Sequence, residues 1–202
     1  MDIVNTNSDG NSVALLLGRG DGTFHSAVLY SIGDNSPWGI IVDDFNRDGD
    51  SDIATTNRLL DNVAILLGNG NGTLKPAVPY NVGNYLTGIT VGDFNNDGKQ
   101  DIVTDDSYSN TVSVLMGTGD GTFQLATSYS VGKHPITAAT ADFNGDGTSD
   151  IATINAGSDT VPVLLHLPIS PTTPLLSHLL QSLNLAPRPQ PPQLLLLKYR
   201  QL

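Results

Sequence analysis

Short apolar runs alternate with clusters of Gly, Asn and Asp along most of this chain, and the runs come in sets. Between Gly88 and Val131 one set reads GITVGDF, DIVTD, TVSVLMG and TFQLATSYSV. Each run is rich in Val, Ile, Thr or aromatic side chains and is bounded by turn formers, the pattern of a strand between tight turns. The runs VAILLG (63–68) and VSVLMG (112–117) are apolar almost without interruption, which predicts strands buried on both faces.

The sets recur with a fixed beat. Asp44, Asp93 and Asp142 begin equivalent segments 49 residues apart. Val13, Val63, Val112 and Val161 keep step, as do Tyr30, Tyr80 and Tyr129, and the turns DGTF, NGTL and DGTF at 21–24, 71–74 and 120–123. Asp2 falls in phase with Asp52, Asp101 and Asp150. Four strands in a unit of about 40–50 residues is the arithmetic of a β-propeller blade. A parallel β-helix needs shorter rungs, and a sandwich does not repeat itself. The predicted fold is therefore all-β: a partial β-propeller of four-stranded antiparallel blades, about three to three and a half of them, with an irregular C-terminal tail. The blades fall at 2–32 (partial), 38–82, 87–131 and 136–165, the last cut before its final strand. Roughly four to eight blades close a ring, so the reading is an open piece of a larger propeller, or copies that complete one another. A Met start inside repeat sequence favours the fragment.

After Leu165 the beat stops. Residues 166–202 hold no acidic side chain and are dominated by Leu and Pro. The expected organisation is blades over 1–165 and a tail over 166–202 that is disordered or foreign to the repeat, in which PLLSHLLQSL has room for a helical turn or two.

Composition sharpens the picture in three ways. All 20 acidic residues are Asp, with no Glu, which favours turns and cation loops over helices. The net charge of -11 speaks against nucleic acid or an anionic membrane as partner. There is no Cys, so disulfides, thiolate zinc sites and Cys nucleophiles are excluded. No signal peptide is recognisable in MDIVNTNSDG, and LLLL at 194–197 is far too short to span a bilayer.

The repeated unit carries an unusual charge pattern, DFNRDGDSD at 44–52, repeated as DFNNDGKQD at 93–101 and DFNGDGTSD at 142–150. Side-chain oxygens fall at positions one, three, five and nine, with Gly at six to permit a sharp bend. Position seven is Asp, Lys and Thr in the three copies, so it is expected to contribute its backbone carbonyl. The candidate ligand sets are Asp44, Asn46, Asp48, Asp50 and Asp52; Asp93, Asn95, Asp97, Lys99 and Asp101; and Asp142, Asn144, Asp146, Thr148 and Asp150. Hard oxygen donors in that number fit Ca²⁺ better than Mg²⁺, about three ions in all. An Asp-rich turn held by side chain to backbone bonds is the plainer alternative, which three copies in phase disfavour. An EF-hand is disfavoured too, since position twelve is Thr55, Thr104 and Thr153.

The unit VGDFNNDGKQDIVT…NTVSVLMGTGDGTF resembles the FG-GAP/VCBS-type repeat found in the integrin alpha-subunit propeller and in many secreted proteins, and the likeness covers residues 2–165. It implies a seven-bladed type of propeller, Ca²⁺ in the hairpin loops and an extracellular or cell-surface role in adhesion or in binding protein or carbohydrate. The Phe-Gly and Gly-Ala-Pro signatures of the family are degenerate here, and the tail matches nothing in it.

Successive hairpin turns of a blade emerge at alternating ends. The acidic loops and the GNGNGT-like turns therefore share one end, and the segments that vary most between copies share the other. These are GDNSPWG, GNYLTG, GKHPIT, NRLLDN, DSYSN and NAGSDT. They bring Trp38, Arg58, Tyr85, Tyr108 and His134, residue types suited to sugar or protein contacts, although Trp38 and Tyr85 serve equally as packing between blades. The RGD at 19–21 occupies the same turn as NGN and TGD in other copies and is read as coincidence. GNGNGT is no dinucleotide fingerprint, since no helix follows its glycines. Asn71-Gly72-Thr73 is a single sequon. An enzyme is not expected: the patterned Asp residues are assigned to the loops, His166 and His178 lie in the tail, and His25 and His134 read as solvated. The rival readings are a propeller of a polysaccharide hydrolase or lyase and a purely structural repeat module.

Overall fold

The computed structural model describes residues 1–33, 36–165 and 180–183. Fifteen strands, and among the described residues no helix, form four antiparallel sheets. The first has three strands, β1 (Ile3–Asn7), β2 (Ser12–Leu16) and β3 (Val28–Ser31). The second runs β4 (Pro37–Asp43), β5 (Asp52–Asn57), β6 (Asn62–Leu66) and β7 (Val78–Asn81). The third repeats it as β8 (Leu86–Gly92), β9 (Asp101–Asp106), β10 (Thr111–Leu115) and β11 (Thr127–Ser130). The fourth comprises β12 (Pro135–Ala141), β13 (Asp150–Asn155), β14 (Val161–Leu164) and β15 (Leu180–Leu183). Strand order follows chain order in every sheet, so each is a meander, and β4, β8 and β12 lie side by side as inner strands. This is the partial β-propeller that the repeats predict.

Three details differ from expectation. The fourth sheet is not cut short: β15 pairs antiparallel with β14, Val161 opposite Leu183 and Leu164 opposite Leu180, so part of the Leu-rich tail takes the outermost place. The helical turn expected in PLLSHLLQSL is replaced by strand over its last four residues, and the rest of the tail lies outside the described residues. The fourth strand of each unit is also shorter than TFQLATSYSV implies. Phe123 meets Gly117 only as an isolated bridge, and β11 starts at Thr127.

Alternation along the strands explains the near-continuous apolar runs. In β6, Val63 and Ile65 face the third sheet, in a cluster with Phe45, Ala54, Ile102, Leu115 and Phe123. Ala64 and Leu66 face the first sheet, with Val13, Ile32 and Ile53. In the third sheet Ile102 turns one way, while Val103, Val112 and Val114 turn the other to meet Phe94, Ile151 and Leu164. Each middle strand serves two seams, so neither face is left to solvent.

One seam contains a charge-bearing exception. In the second sheet the Gly39 amide donates to Thr56 Oγ1 at 2.9 Å. The third sheet puts Asp105 at that register, fully buried, and a Cβ on the facing Gly88 would run into its Oδ2. Thr153 Oγ1 of the fourth sheet donates to Asp105 Oδ1 at 2.6 Å, while Oδ2 has no partner. The neighbouring Asp106 accepts from three hydroxyls, Thr104 at 2.7, Thr111 at 3.0 and Ser113 at 2.6 Å. Burial, opposed by the Thr153 hydroxyl and reinforced by the Asp106 charge, pushes the Asp105 carboxyl up to about 6.

That shift has a sign. With a folded value raised above the unfolded one, the folded chain holds a proton that the unfolded chain releases, so stability falls as pH rises from roughly 4 through 6. Asp105→Thr, the residue the second sheet uses, removes this term. The variant is expected to be more stable than wild type at pH 7.5, by on the order of 2 kcal/mol, and to match it near pH 4. Urea midpoints at both pH values check this; parallel pH dependence in the two proteins would contradict it.

Candidate functional site: acidic loops at one end, an aromatic column at the other

Each acidic loop is built on left-handed backbone. Gly49, Gly98 and Gly147 at position six have φ of 89°, 77° and 87°, and position four is left-handed as well, in Arg47, Asn96 and Gly145. The bend folds the loop's side chains onto its own amides. Asp44 Oδ1 and Asn46 Oδ1 both accept from the Asp48 amide, at 3.2 and 2.9 Å, and Asp44 Oδ2 accepts from Gly49 at 2.9 Å. The second loop repeats this with Asp93 and Asn95 on the Asp97 amide, at 3.1 and 3.0 Å. In the third loop Asp142 and Asn144 share the Asp146 amide, at 3.1 and 2.8 Å. Positions one and three thus converge in every copy. Position five accepts from the amide of position seven, which holds the Asp48 carboxyl below its usual value with help from Asn46.

Position nine does something else. Asp52 is fully buried; its Oδ2 accepts from the Phe45 amide at 2.9 Å and its Oδ1 from the Gly68 amide at 2.7 Å. Asp101 does the same with Phe94 at 2.9 Å and Gly117 at 2.8 Å. Asp150 accepts from Phe143 at 2.9 Å, and Asp2 accepts from Gly18 at 2.8 Å. One carboxylate therefore ties the start of its own loop to the turn of the next hairpin. Burial, only partly offset by the Gly117 and Phe94 amides, pushes Asp101 up to about 6, with Asp97 and Asp93 adding to it.

Position-seven side chains lie toward the neighbouring turns or the rim: Asp50 against Gly70, Lys99 against Gly119 and paired with Asp97 at 3.0 Å, Thr148 bonded to Asp146. Among the described residues no three His, Cys, Asp or Glu side chains converge closely enough to hold a metal by themselves. The oxygens that do gather are carboxylate and carboxamide, all hard donors, each accepted amide leaving a second lone pair on its oxygen. That chemistry fits Ca²⁺.

The turns beside the loops are structural. Asp21, Asn71 and Asp120 each accept from the amide two residues on, at 2.9, 3.1 and 3.0 Å, so the Asp of RGD has the same turn-forming role as its counterparts.

At the opposite end the five residues singled out for recognition come together. Asp61 Oδ1 accepts from the Tyr85 amide at 2.9 Å and Asn110 Oδ1 from the His134 amide at 3.0 Å, each hairpin thereby pinning the connection into the next sheet. Tyr85 and His134 are held there at φ of 60° and 51°, costly for bulky side chains. Arg58 lies between two rings, its guanidinium carbon 4.5 Å from the centre of Trp38 and 4.0 Å from that of Tyr85. Tyr85 stacks on Tyr108 at 4.0 Å and 6°, and Tyr108 meets His134 edge-on at 6.4 Å. Trp38 and Tyr108 remain 53% and 64% exposed. Tyr85 does pack between sheets, but as the middle of a column that surfaces at both flanks.

Comparison with known proteins agrees with this architecture. The FG-GAP-like repeat matches residues 1–55, 44–104 and 102–153, so the chain belongs to that repeat family. A solved Agrocybe aegerita lectin, described as recognising non-reducing terminal N-acetylglucosamine, shares the fold at 23% identity and a TM-score of 0.54. The likeness covers 83% of this chain and 46% of the lectin, so the chain spans less than half of that protein. No curated protein matches the chain.

Asp101→Asn keeps the size of the buried side chain but turns one acceptor into a donor facing an amide. It is expected to cost about 1–3 kcal/mol in urea unfolding. An unchanged midpoint would show that the tie between loop and turn carries no stability.

Proposed function

We propose that this chain is a calcium-stabilised, extracellular propeller segment that binds a protein or carbohydrate ligand through the end bearing Trp38, Arg58, Tyr85, Tyr108 and His134. The observation that carries the reading is the separation of roles. One end repeats a single oxygen-rich loop in phase, while the other assembles a column from residues that differ in every copy. Repetition serves the scaffold and variation serves recognition.

In the loops, Asp44, Asn46 and Asp48, the Asp50 carbonyl and Asp52 would hold one ion, and their counterparts the other two. A bound divalent charge offsets the mutual repulsion of these carboxylates. At the column, flat aromatic faces offer apolar area at little entropic cost, a surface on which a sugar ring or an aromatic side chain rests. The lectin neighbour supports the carbohydrate branch of this reading.

With extracellular-type affinities of roughly 10⁻⁴–10⁻³ M, about 1 mM Ca²⁺ stabilises the fold by about 0.4–1.4 kcal/mol per loop. Removing calcium with excess EGTA is expected to lower the melting temperature by several degrees, with recovery on adding Ca²⁺ but not Mg²⁺. A melt indifferent to chelation would sink the metal reading. Ligand binding is tested on a glycan and peptide array in calcium, where Trp38→Ala and Tyr108→Ala are expected to abolish the signals given by wild type.

A further inference from the structure

The Arg58 side chain makes no ion pair and no side-chain hydrogen bond among the described residues. Its Nε is buried without a partner, while the residue as a whole is only partly buried. The carboxylate on the same loop, Asp61, accepts from the Tyr85 amide through its Oδ1. Trp38 and Tyr85 flank the guanidinium at 4.5 and 4.0 Å, so hydrogen bonding is confined to its rim, in plane. An arginine flanked by two rings, with no side-chain hydrogen-bond or ion-pair partner among the described residues, in a chain of net charge -11, is poised for something outside the chain. The partner that matches a planar fork of donors is a carboxylate.

We infer that the column takes a carboxylate-bearing saccharide, a uronic- or sialic-type sugar, with its acid group on the Arg58 rim and its ring against an exposed flank, Trp38 or Tyr108. This rests on the proposed recognition role of that end and names its ligand class. A saccharide suits the site better than an acidic peptide. An extended peptide needs main-chain partners, and the loop amides here are already committed: Arg58 to Ser36, Ser107 to Tyr85, Tyr108 to Asn84, Ala156 to His134 and Gly157 to Lys133. Exposed ring faces remain, and these suit the C–H face of a sugar. Lys133, exposed beside His134, is the next cation at this end. The acidic balance elsewhere repels a long polyanion, so the site selects a short or terminal acid over a polyanionic chain.

Trp38 is the single tryptophan, so its fluorescence reports the column directly. The full chain in 1 mM CaCl₂ would be titrated with trigalacturonate, its methyl ester, N-acetylneuraminyl-lactose, lactose, a sulfated galactose trisaccharide and hexa-aspartate. At least one carboxylate sugar is expected to bind tenfold or more tightly than its neutral counterpart, with a change in Trp38 emission. Arg58→Gln is expected to erase that preference while leaving the melting temperature within about 2 °C, and Arg58→Lys to recover only part of it. Equal binding of acid and neutral forms, or a preference untouched by Arg58→Gln, overturns the carboxylate assignment and leaves saccharide recognition standing. Preference for the sulfated sugar or for hexa-aspartate overturns it as well. Binding of no saccharide here overturns the carboxylate-sugar assignment, and silence of the whole glycan and peptide array overturns the recognition reading as well.

Discussion

A buried carboxylate that accepts two backbone amides from different turns is the interaction on which this architecture depends. Asp52 joins Phe45 to Gly68, and Asp101 joins Phe94 to Gly117, each at hydrogen-bonding distances of 2.7–2.9 Å. Burying an Asp is expensive, and here the amides do not fully offset it, since Asp101 is raised to about 6. The arrangement persists because it does what an apolar side chain cannot. It satisfies two turn amides at once and fixes the acidic loop against the neighbouring hairpin, so the sheets keep a common geometry at their ends.

Between the ends, packing follows from having two seams per sheet. Val63 and Ile65 on one side of β6, and Ala64 and Leu66 on the other, leave no solvated face on the middle strands. Stability is thus a sum of neighbour contacts along the array, as in other repeat proteins. Asp105 is the place where this rule bends. A polar wedge sits in the seam where a sister sheet uses Thr56, and it couples the third and fourth sheets through Thr153.

Much of this was legible in the sequence because it is local and repeated. The 49-residue beat, the strand sets, the glycine bend at Gly49, Gly98 and Gly147, and the phase of Asp2 with Asp52 all follow from short-range pattern. The five residues of the aromatic column were visible as a group, since they stand where the copies disagree. What the pattern does not encode is contact between repeats. Arg58 meets Trp38 and Tyr85 only once consecutive sheets are stacked, and the sister position of Arg58 is Ser107, so no periodicity announces the sandwich. Asp105 and Asp106 read as strand residues of DIVTDD, with nothing local to say that one is fully satisfied and the other left with a bare oxygen. β15 was missed for a related reason: Leu180–Leu183 carry no repeat signature, and only the free edge of β14 makes them a strand.

In the proposed reading the acidic loops connect scaffold to function, because the oxygens that brace the turns are also those that would hold a cation. Their calcium content is the most direct measure of the account. Equilibrium dialysis at millimolar Ca²⁺ should find about three ions per chain, falling by one when Asp93 alone is replaced by Ala. A count near zero, or one unmoved by replacing Asp44, Asp93 and Asp142 together, would contradict it.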